Sequence, residues 1–161
     1  SMNKVNKQRF TDLYLKDKLQ RYPSFIGREY AVPAPKLKET GANDLTRLVI
    51  DFLTLNNCQA ERITSQGQYR DNTKQVTDVI GRVRTIGSGT WTKGTSTAGT
   101  ADISATIKGR SVKIEIKWAK DIQSTAQKQY QNAIEKSMGI YIIVKTFDDF
   151  VLWFDNYLLD L

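Results

Sequence analysis

Two short segments of strict polar–apolar alternation, separated by a glycine-containing turn, constrain the fold of this chain most strongly. Apolar residues occupy every second position from Ala101 to Ile107 and again from Val112 to Ile116. A period of two is typical of β-strands that have one buried face. Lys108-Gly109-Arg110 joins the two segments, and Gly109 supplies the positive φ that a tight turn needs. The sequence therefore predicts a β-hairpin.

The length of the turn fixes which residues face each other across this hairpin. With a two-residue loop, opposed residue numbers sum to an odd value, so Asp102 shares a face with Glu115 and Lys117. Ile103 then lies over Ile114 on the opposite face. A shift of one residue would place Asp102 among the isoleucines, so we expect the register to be strongly specified. Two carboxylates and a lysine should lie together on the polar face.

This polar face suits metal-dependent phosphodiester chemistry. Its two carboxylates offer the oxygen ligands that Mg²⁺ and Mn²⁺ prefer. Lys117 lies two residues beyond Glu115 on the same side, where it could assist an attacking water or stabilise charge on a phosphate. The hairpin alone fits a second interpretation equally well, in which the charged outer face only forms ion pairs with neighbouring lysines.

Four short motifs follow one another in and after the hairpin. They are Gly99-Thr100-Ala101-Asp102-Ile103, Glu115-Ile116-Lys117, Ser124-Thr125-Ala126-Gln127 and Gly139-Ile140-Tyr141-Ile142-Ile143-Val144. As an ordered set they resemble the PD-(D/E)XK nuclease superfamily, and more narrowly its VRR-NUC-type and phage-encoded nuclease domains. The match covers residues 44–158, with Ala101 in place of the family's usual proline. Many relatives also carry a glutamate on the first helix, where this chain has only Asp44 and Asp51.

The resemblance implies a reaction and a role for each motif residue. Asp102 and Glu115 would bind Mg²⁺ or Mn²⁺, with the Ile116 backbone carbonyl as a third ligand. Lys117 would be the catalytic lysine, and Gln127 would orient water or the DNA backbone. We therefore expect a divalent-metal-dependent DNA endonuclease. A Holliday-junction or branched-DNA resolvase of the same fold, which would require a homodimer, and a non-catalytic DNA-binding module are the alternatives.

The residue types that are absent narrow the chemistry further. The 161 residues include no histidine and a single cysteine, Cys58. This excludes Ser-His-Asp and Cys-His catalysis, HNH nucleases and the usual histidine- and cysteine-rich zinc sites. A lone cysteine also excludes an internal disulfide and fits a reducing cytoplasm, where we expect the protein to act. No apolar run approaches the ~20 residues of a membrane span, so we expect no membrane partner.

The charge of the chain favours a polyanionic partner. Its 24 basic and 17 acidic residues give a net charge of +7, which suits DNA. A solvated basic surface without a partner is the alternative explanation. Six residues besides the motif residues are candidates for DNA contacts: Arg62, Trp91, Lys93, Lys120, Lys128 and Gln131. Of these, Trp91 and Lys93 lie in the glycine- and threonine-rich loop 87–99, which we expect to form a mobile flap, although Trp91 as a packing anchor fits equally well.

Periodicity along the remaining chain predicts an α/β domain. Predicted helices cover 8–21, 44–56, 122–137 and 148–161, and predicted strands cover 59–64 and 140–144, with a strand or hairpin at 76–84. We predict a restriction-endonuclease-like mixed central sheet flanked by helices, with an αβββαβ core, over residues 41–161. Residues 1–40 form a basic N-terminal extension, which could follow a DNA backbone, exchange between subunits or simply pack on the domain. The aromatic C-terminal helix predicts either core packing or a homodimer interface.

Overall fold

Four α-helices and eight β-strands form the part of the chain that the computed structural model describes, residues 2–64, 67–92, 94 and 97–161. The helices are α1 (Lys4–Arg21), α2 (Ala42–Leu55), α3 (Thr125–Lys136) and α4 (Phe147–Leu159). The strands are β1 (Gln59–Arg62), β2 (Gln68–Arg70), β3 (Lys74–Thr77), β4 (Val83–Ile86), β5 (Thr90–Thr92), β6 (Ile103–Ile107), β7 (Arg110–Ile116) and β8 (Ile140–Val144). Two short 3₁₀ turns, Pro23–Phe25 and Glu29–Ala31, lie between α1 and α2.

A mixed sheet in the order β1-β6-β7-β8 forms the centre of the fold. β1, β6 and β7 are antiparallel neighbours, whereas β7 and β8 are parallel. Parallel neighbours need a crossover connection, and α3 provides it. Helices α1, α2 and α4 pack on one face of the sheet, and α3 lies over the other. The predicted α/β fold with a mixed central sheet flanked by helices is confirmed.

The β6–β7 hairpin has the predicted register. Ile103 lies opposite Ile114, and Ala105 lies opposite Val112. The two-residue turn has φ values of +49° at Lys108 and +81° at Gly109. Positive φ at both positions is the geometry of a type I′ turn, whose twist matches that of the flanking strands.

The core lies between the sheet and the three helices α1, α2 and α4. Phe52 is fully buried at its centre, with edge-to-face contacts to Phe147 and Phe154 at 5.5 Å between ring centroids. Phe10 of α1 joins this aromatic cluster, and Met2 is also buried. Residues of the predicted extension 1–40 therefore contribute to the core of the domain. In the described residues, no helix is both long enough and apolar enough to span a membrane.

Three helix starts differ from the predictions, and for α1 and α3 the reason is a capping side chain. α1 begins at Lys4, four residues before the predicted start, since the Asn3 side chain accepts a hydrogen bond from the first turn. The N-cap of α2 is Gly41, which has no side chain to cap the helix. Asp44, in the first turn, accepts hydrogen bonds from the backbone N–H and the hydroxyl of Thr40. α3 begins at Thr125 and not at 122, because Ser124 caps it.

The strand predictions need three corrections as well. The continuous apolar run 140–144 predicts a strand buried on both faces, but β8 is the edge strand of the sheet among the described residues, and Ile143 is 43% exposed. β1 ends at Arg62, two residues earlier than predicted. The segment 76–84 does form a hairpin, β3–β4, but the loop 87–99 contains a further short strand, β5, which pairs with β2. We expect the lone cysteine, Cys58, to be buried at a helix end, but it is only half-buried after α2.

Met138 closes α3 in a conformation that glycine would adopt more easily. Its φ is +63°, and the Gly139 N–H donates to the Ile134 carbonyl at 3.0 Å in a Schellman motif. The Met138 side chain is 92% exposed, so its removal loses little packing. We expect Met138→Gly to raise the free energy of unfolding by about 1 kcal/mol, because the left-handed conformation costs a side chain about that much. Urea denaturation measures the change. Met138→Ala keeps the strain and should give no gain, so equal stability of the two variants would contradict this account.

Candidate active site

Glu115 and Lys117 form a buried ion pair on β7. The Lys117 Nζ lies 3.0 Å from the Glu115 Oε1, and the two residues are only 5% and 2% exposed, respectively. The predicted polar face is therefore covered and not solvated. Burial raises the pKa of the Glu115 carboxyl above its ordinary value, although the hydrogen bond from Lys117 opposes this shift. Burial tends to lower the pKa of Lys117, but the hydrogen bonds and charges of Glu115 and Asp121 together outweigh it and hold that pKa above its ordinary value.

Gln127 of α3 completes a triangle with this pair. Its Nε2 donates to the Glu115 Oε1 at 2.5 Å, and its Oε1 accepts from the Lys117 Nζ at 3.0 Å. The same Oε1 accepts from the Ser124 N–H at 2.9 Å, while the Ser124 hydroxyl accepts from the Gln127 N–H. This is a capping box, so the first turn of α3 and the ion pair share one side chain.

Asp102 lies beside the pair, at the start of β6. Its Oδ2 accepts the Ile116 N–H at 2.8 Å, which ties its carboxylate to the end of β7. The negative charge of Asp102 adds to the rise in the pKa of Glu115, so the two carboxylates are near neighbours. The structure thus brings together the four predicted catalytic residues, Asp102, Glu115, Lys117 and Gln127.

The donor set fits a hard divalent cation that keeps water in its coordination shell. Asp102 and Glu115 supply carboxylates, and the Ile116 carbonyl points toward Asp102, because the N–H and C=O of one strand residue face the same side. The Asp102 Oδ1 makes no hydrogen bond to any described residue. Across the described ranges, no cluster of three or more histidine, cysteine, aspartate or glutamate side chains could hold a metal. Mg²⁺ commonly binds through one or two carboxylates plus waters and substrate phosphates, which is the set available here.

Two further residues hold the triangle in place. The Tyr141 hydroxyl on β8 lies 3.4 Å from the Glu115 Oε2 and accepts from Gln123. Burial is the main cause that raises the pKa of Tyr141 to about 12, so the phenol stays protonated and can donate to Glu115. Asp121 lies 3.3 Å from the Lys117 Nζ, in a turn where Ala119 has a φ of +52°.

Gly99 brings the loop before β6 into close contact with α3. Its φ is +77°, and a Cβ at this position would lie only 2.3 Å from the Ala126 backbone carbon and 2.6 Å from the Gln127 nitrogen. Only glycine fits this approach without a shift of the backbone. The close approach at Gly99, the glycine of the first motif, therefore places Asp102 near the helix that carries Gln127.

Lys117 lines a surface pocket of about 340 Å³. The other residues that line it are Asp121, Ile122, Gln123, Lys128, Ile143 and Lys145. Lys128 and Lys145 add two cations to the rim. A phosphate group in this pocket would meet three lysines and one carboxylate, that of Asp121, which is paired with Lys117.

The six residues predicted to contact DNA fall in different surroundings. Lys128 lines the pocket, and Lys120 is exposed in the turn after β7. The Gln131 side chain accepts from Gln123, which links it to the site as expected. Arg62 donates to the Asn43 side chain at 2.7 Å and forms no salt bridge with a described residue. Lys93 lies outside the described residues.

Trp91 is an exposed aromatic residue and not a buried anchor. It lies opposite Tyr69 in the β2–β5 pair, with 6.5 Å between ring centroids. Trp91 is 67% exposed and Tyr69 62% exposed. This pair offers two aromatic rings at one surface.

Sequence reasoning missed Tyr141, Asp121, Gln123 and Lys145. The alternation rule places residues within one hairpin, but the parallel register that sets Glu115 opposite Ile143 depends on α3 and its loops. The residue pattern gives no signal for that register. Asp121 reaches Lys117 only through the turn at Ala119, which is an unusual residue in a left-handed conformation.

Gly99→Ala should destabilise the protein far more than Gly109→Ala. Both glycines have positive φ, but a Cβ on Gly109 would meet nothing within 4 Å. We expect Gly109→Ala to cost about 1 kcal/mol of unfolding free energy, and Gly99→Ala about 2 kcal/mol more, because the helix backbone must move. Denaturant unfolding of the two variants tests this difference. Equal losses would show that the contact with α3 tolerates a side chain.

Lys117→Met should be more destabilising than the loss of both charges. The substitution leaves Glu115 buried without its cation, for which we expect a loss of about 3 kcal/mol or more. Glu115→Gln/Lys117→Met removes the carboxylate charge too and should recover a large part of this loss. Chemical denaturation in EDTA measures both variants. A double variant that is as unstable as the sum of its single variants would show that the two charges do not depend on each other.

Comparison with known proteins assigns no family to the chain. No protein-family model matches it, and no curated protein or solved structure is similar to it at a significant level.

Proposed function

We propose that this protein is a divalent-metal-dependent DNA endonuclease of the PD-(D/E)XK type. In this proposal the mixed sheet is restriction-endonuclease-like, and β6 and β7 carry the metal site. The phosphodiester bond is cleaved by water, with Mg²⁺ or Mn²⁺ as the cofactor. The resemblance to VRR-NUC-type and phage-encoded domains supports the same assignment.

The observation that carries the proposal is the environment of the Lys117 ammonium. It lies 3.0 Å from both the Glu115 and the Gln127 side chains, and it borders the pocket lined by Lys128. A buried ion pair contributes little net stability compared with apolar residues of the same size. A fold that keeps one beside Asp102 and an open cationic pocket has the features of a reaction centre.

Each residue of the proposed site has its own role in hydrolysis. Bound Mg²⁺ or Mn²⁺ would lower the pKa of a coordinated water and polarise the phosphate. Asp102, Glu115 and the Ile116 carbonyl would hold that ion. Lys117 donates hydrogen bonds to the attacking water or to the phosphate, where charge develops in the transition state. Gln127 holds the lysine and the glutamate in position through its hydrogen bonds to both side chains.

Surface charge and exposed aromatics support DNA as the substrate. The net charge of +7 attracts a polyanion, and lysines at the rim of the pocket can contact phosphates on either side of the scissile bond. Trp91 and Tyr69 present rings on which bases can stack.

Cleavage of supercoiled plasmid tests the proposal directly. Wild type should cut with Mg²⁺ or Mn²⁺ and not with EDTA. Asp102→Asn keeps the size of the side chain and an oxygen for the Ile116 N–H, but it loses a charged metal ligand. We expect it to cut at least about 100-fold more slowly. Asp160→Asn, an exposed carboxylate at the end of α4, is the matched control and should cut like wild type.

Two measurements make failure of this proposal clear. Isothermal titration with Mn²⁺ should show binding to wild type and weaker binding to Asp102→Asn, independently of cleavage. If wild type binds DNA but cuts no substrate with any divalent metal, the non-catalytic DNA-binding module is the better description. A four-way junction in the same assay ranks the resolvase alternative, and sedimentation tests the homodimer that this alternative requires.

A further inference from the structure

An insertion of two β-ribbons separates β1 from β6. β2 pairs with β5 in one ribbon, and β3 pairs with β4 in the other. The insertion leaves the sheet beside the site, where the Ile63 N–H donates to the Asp102 carbonyl at 2.8 Å. The base of the insertion is thus anchored to the strand that begins at the proposed metal ligand.

The tip of the β3–β4 ribbon is an ordered turn. The Asp78 Oδ1 accepts the N–H groups of Ile80 and Arg82 at 3.0 and 2.9 Å. Gly81 has a φ of +80°, and its N–H donates to the Asp78 carbonyl at 2.9 Å. This is a three-residue hairpin loop that ends in a left-handed glycine. Asp78 also lies 3.4 Å from Arg84.

The ribbon exposes an unusual number of apolar side chains. Its exposed apolar residues are Val76, Val79, Ile80, Val83 and Ile86. Their exposure ranges from 44% at Val76 to full exposure at Val79. A two-stranded ribbon cannot bury both of its faces by itself. A clustered apolar surface of this kind marks an interaction site.

Basic side chains share a face of the ribbon with some of these apolar residues. Lys74 pairs with Ile86, and Val76 pairs with Arg84, so the four side chains lie on one face. Arg82 lies in the turn beyond them. Cations beside short apolar groups match a DNA groove, which has phosphates along its walls and base edges and thymine methyl groups on its floor.

We propose that the β3–β4 ribbon is a DNA-binding arm that enters a groove of the duplex next to the cleavage site. Lys74, Arg82 and Arg84 contact phosphates, and Val79 and Ile80 press against the bases at the tip. A two-stranded ribbon fits the major groove, which is about 12 Å wide. The six residues from 74 to 79 span about 20 Å, enough to cross the groove. The inference rests on DNA as the proposed substrate and is independent of catalysis.

Removal of the cations tests the phosphate contacts. Lys74→Gln/Arg82→Gln/Arg84→Gln is compared with Lys4→Gln/Lys7→Gln/Lys16→Gln, three exposed lysines of α1 on the other side of the sheet. Binding of a fluorescent duplex is measured by anisotropy in EDTA over a series of salt concentrations. The ribbon variant should bind at least tenfold more weakly, with a salt slope smaller by roughly 2–3, since each phosphate contact contributes about 0.9. The α1 variant should change less than twofold. Unchanged binding by the ribbon variant would overturn the proposal.

Removal of the apolar tip tests the contact with bases. Val79→Ser/Ile80→Ser should leave thermal unfolding unchanged, because both side chains are exposed. Wild type should change the fluorescence of a duplex that contains 2-aminopurine, since the apolar tip lies against the base edges in the groove. The variant should bind the duplex but give no such change. An equal change in both would overturn the proposed role of the tip.

A second copy of this chain is the competing occupant of the apolar surface. If wild type sediments as a dimer, the tip variant as a monomer, and both bind DNA equally, the ribbon joins subunits and the proposal is wrong. All of these assays are read without a metal ion. If the ribbon variants lose DNA binding but wild type never cuts DNA, the DNA-binding arm is supported and the nuclease proposal is rejected. If the ribbon variants bind DNA normally and wild type cuts it with a divalent metal, the nuclease is supported and the arm is rejected.

Discussion

The buried charges of Glu115 and Lys117 are the constraint on which the surrounding structure depends. Burial of either charged group is unfavourable unless hydrogen bonds and an opposite charge in the protein replace its contacts with water. The carboxylate is contacted by Lys117, Gln127 and Tyr141, and the ammonium by Glu115, Gln127 and Asp121. α3 itself contains no buried residue. The hydrogen bonds of Gln127 to this pair therefore act together with the edge-to-face contact of Tyr130 on Tyr141 to fix the position of α3.

The position of α3 is specified a second time by the backbone. Gly99 fits against Ala126 only because it has no side chain, and the Ser124 capping box holds the first turn in the shape that this contact needs. Two motifs that are more than twenty residues apart in the sequence thus form one structural unit. A change in either would move Gln127 and so disturb the ion pair. Local propensity and tertiary contacts agree at this point, as they do in a well-specified fold.

The sequence predicts the hairpin well because its information is local. The positive φ at Gly109 and the alternation around it set the register of Asp102 against β7, and the structure has that register. The burial of Glu115 and the contact from Tyr141 are not predictable in this way, because they depend on the crossover through α3. The predicted start of α3 is three residues early because Ile122 fits the apolar face of the helix by spacing, although its side chain is exposed in the structure. In the insertion, exposed valines and isoleucines have the pattern of a buried strand, so pattern alone cannot distinguish a core strand from an interaction surface.

Access to the buried lysine depends on the position of β8 in the sheet. A catalytic ammonium must be shielded enough for its charge to act strongly and open enough to meet a phosphate. On the site face, α3 covers Glu115, but no strand of the described part of the chain lies beside β8 at the sheet edge, and Ile143 stays partly exposed next to Lys145. The opening of the pocket lies at this uncovered edge. A strand buried on both faces, as its apolar sequence predicts, would close the pocket and leave Lys117 as a structural residue only. The exposed edge is therefore the feature that makes the proposed hydrolysis sterically feasible.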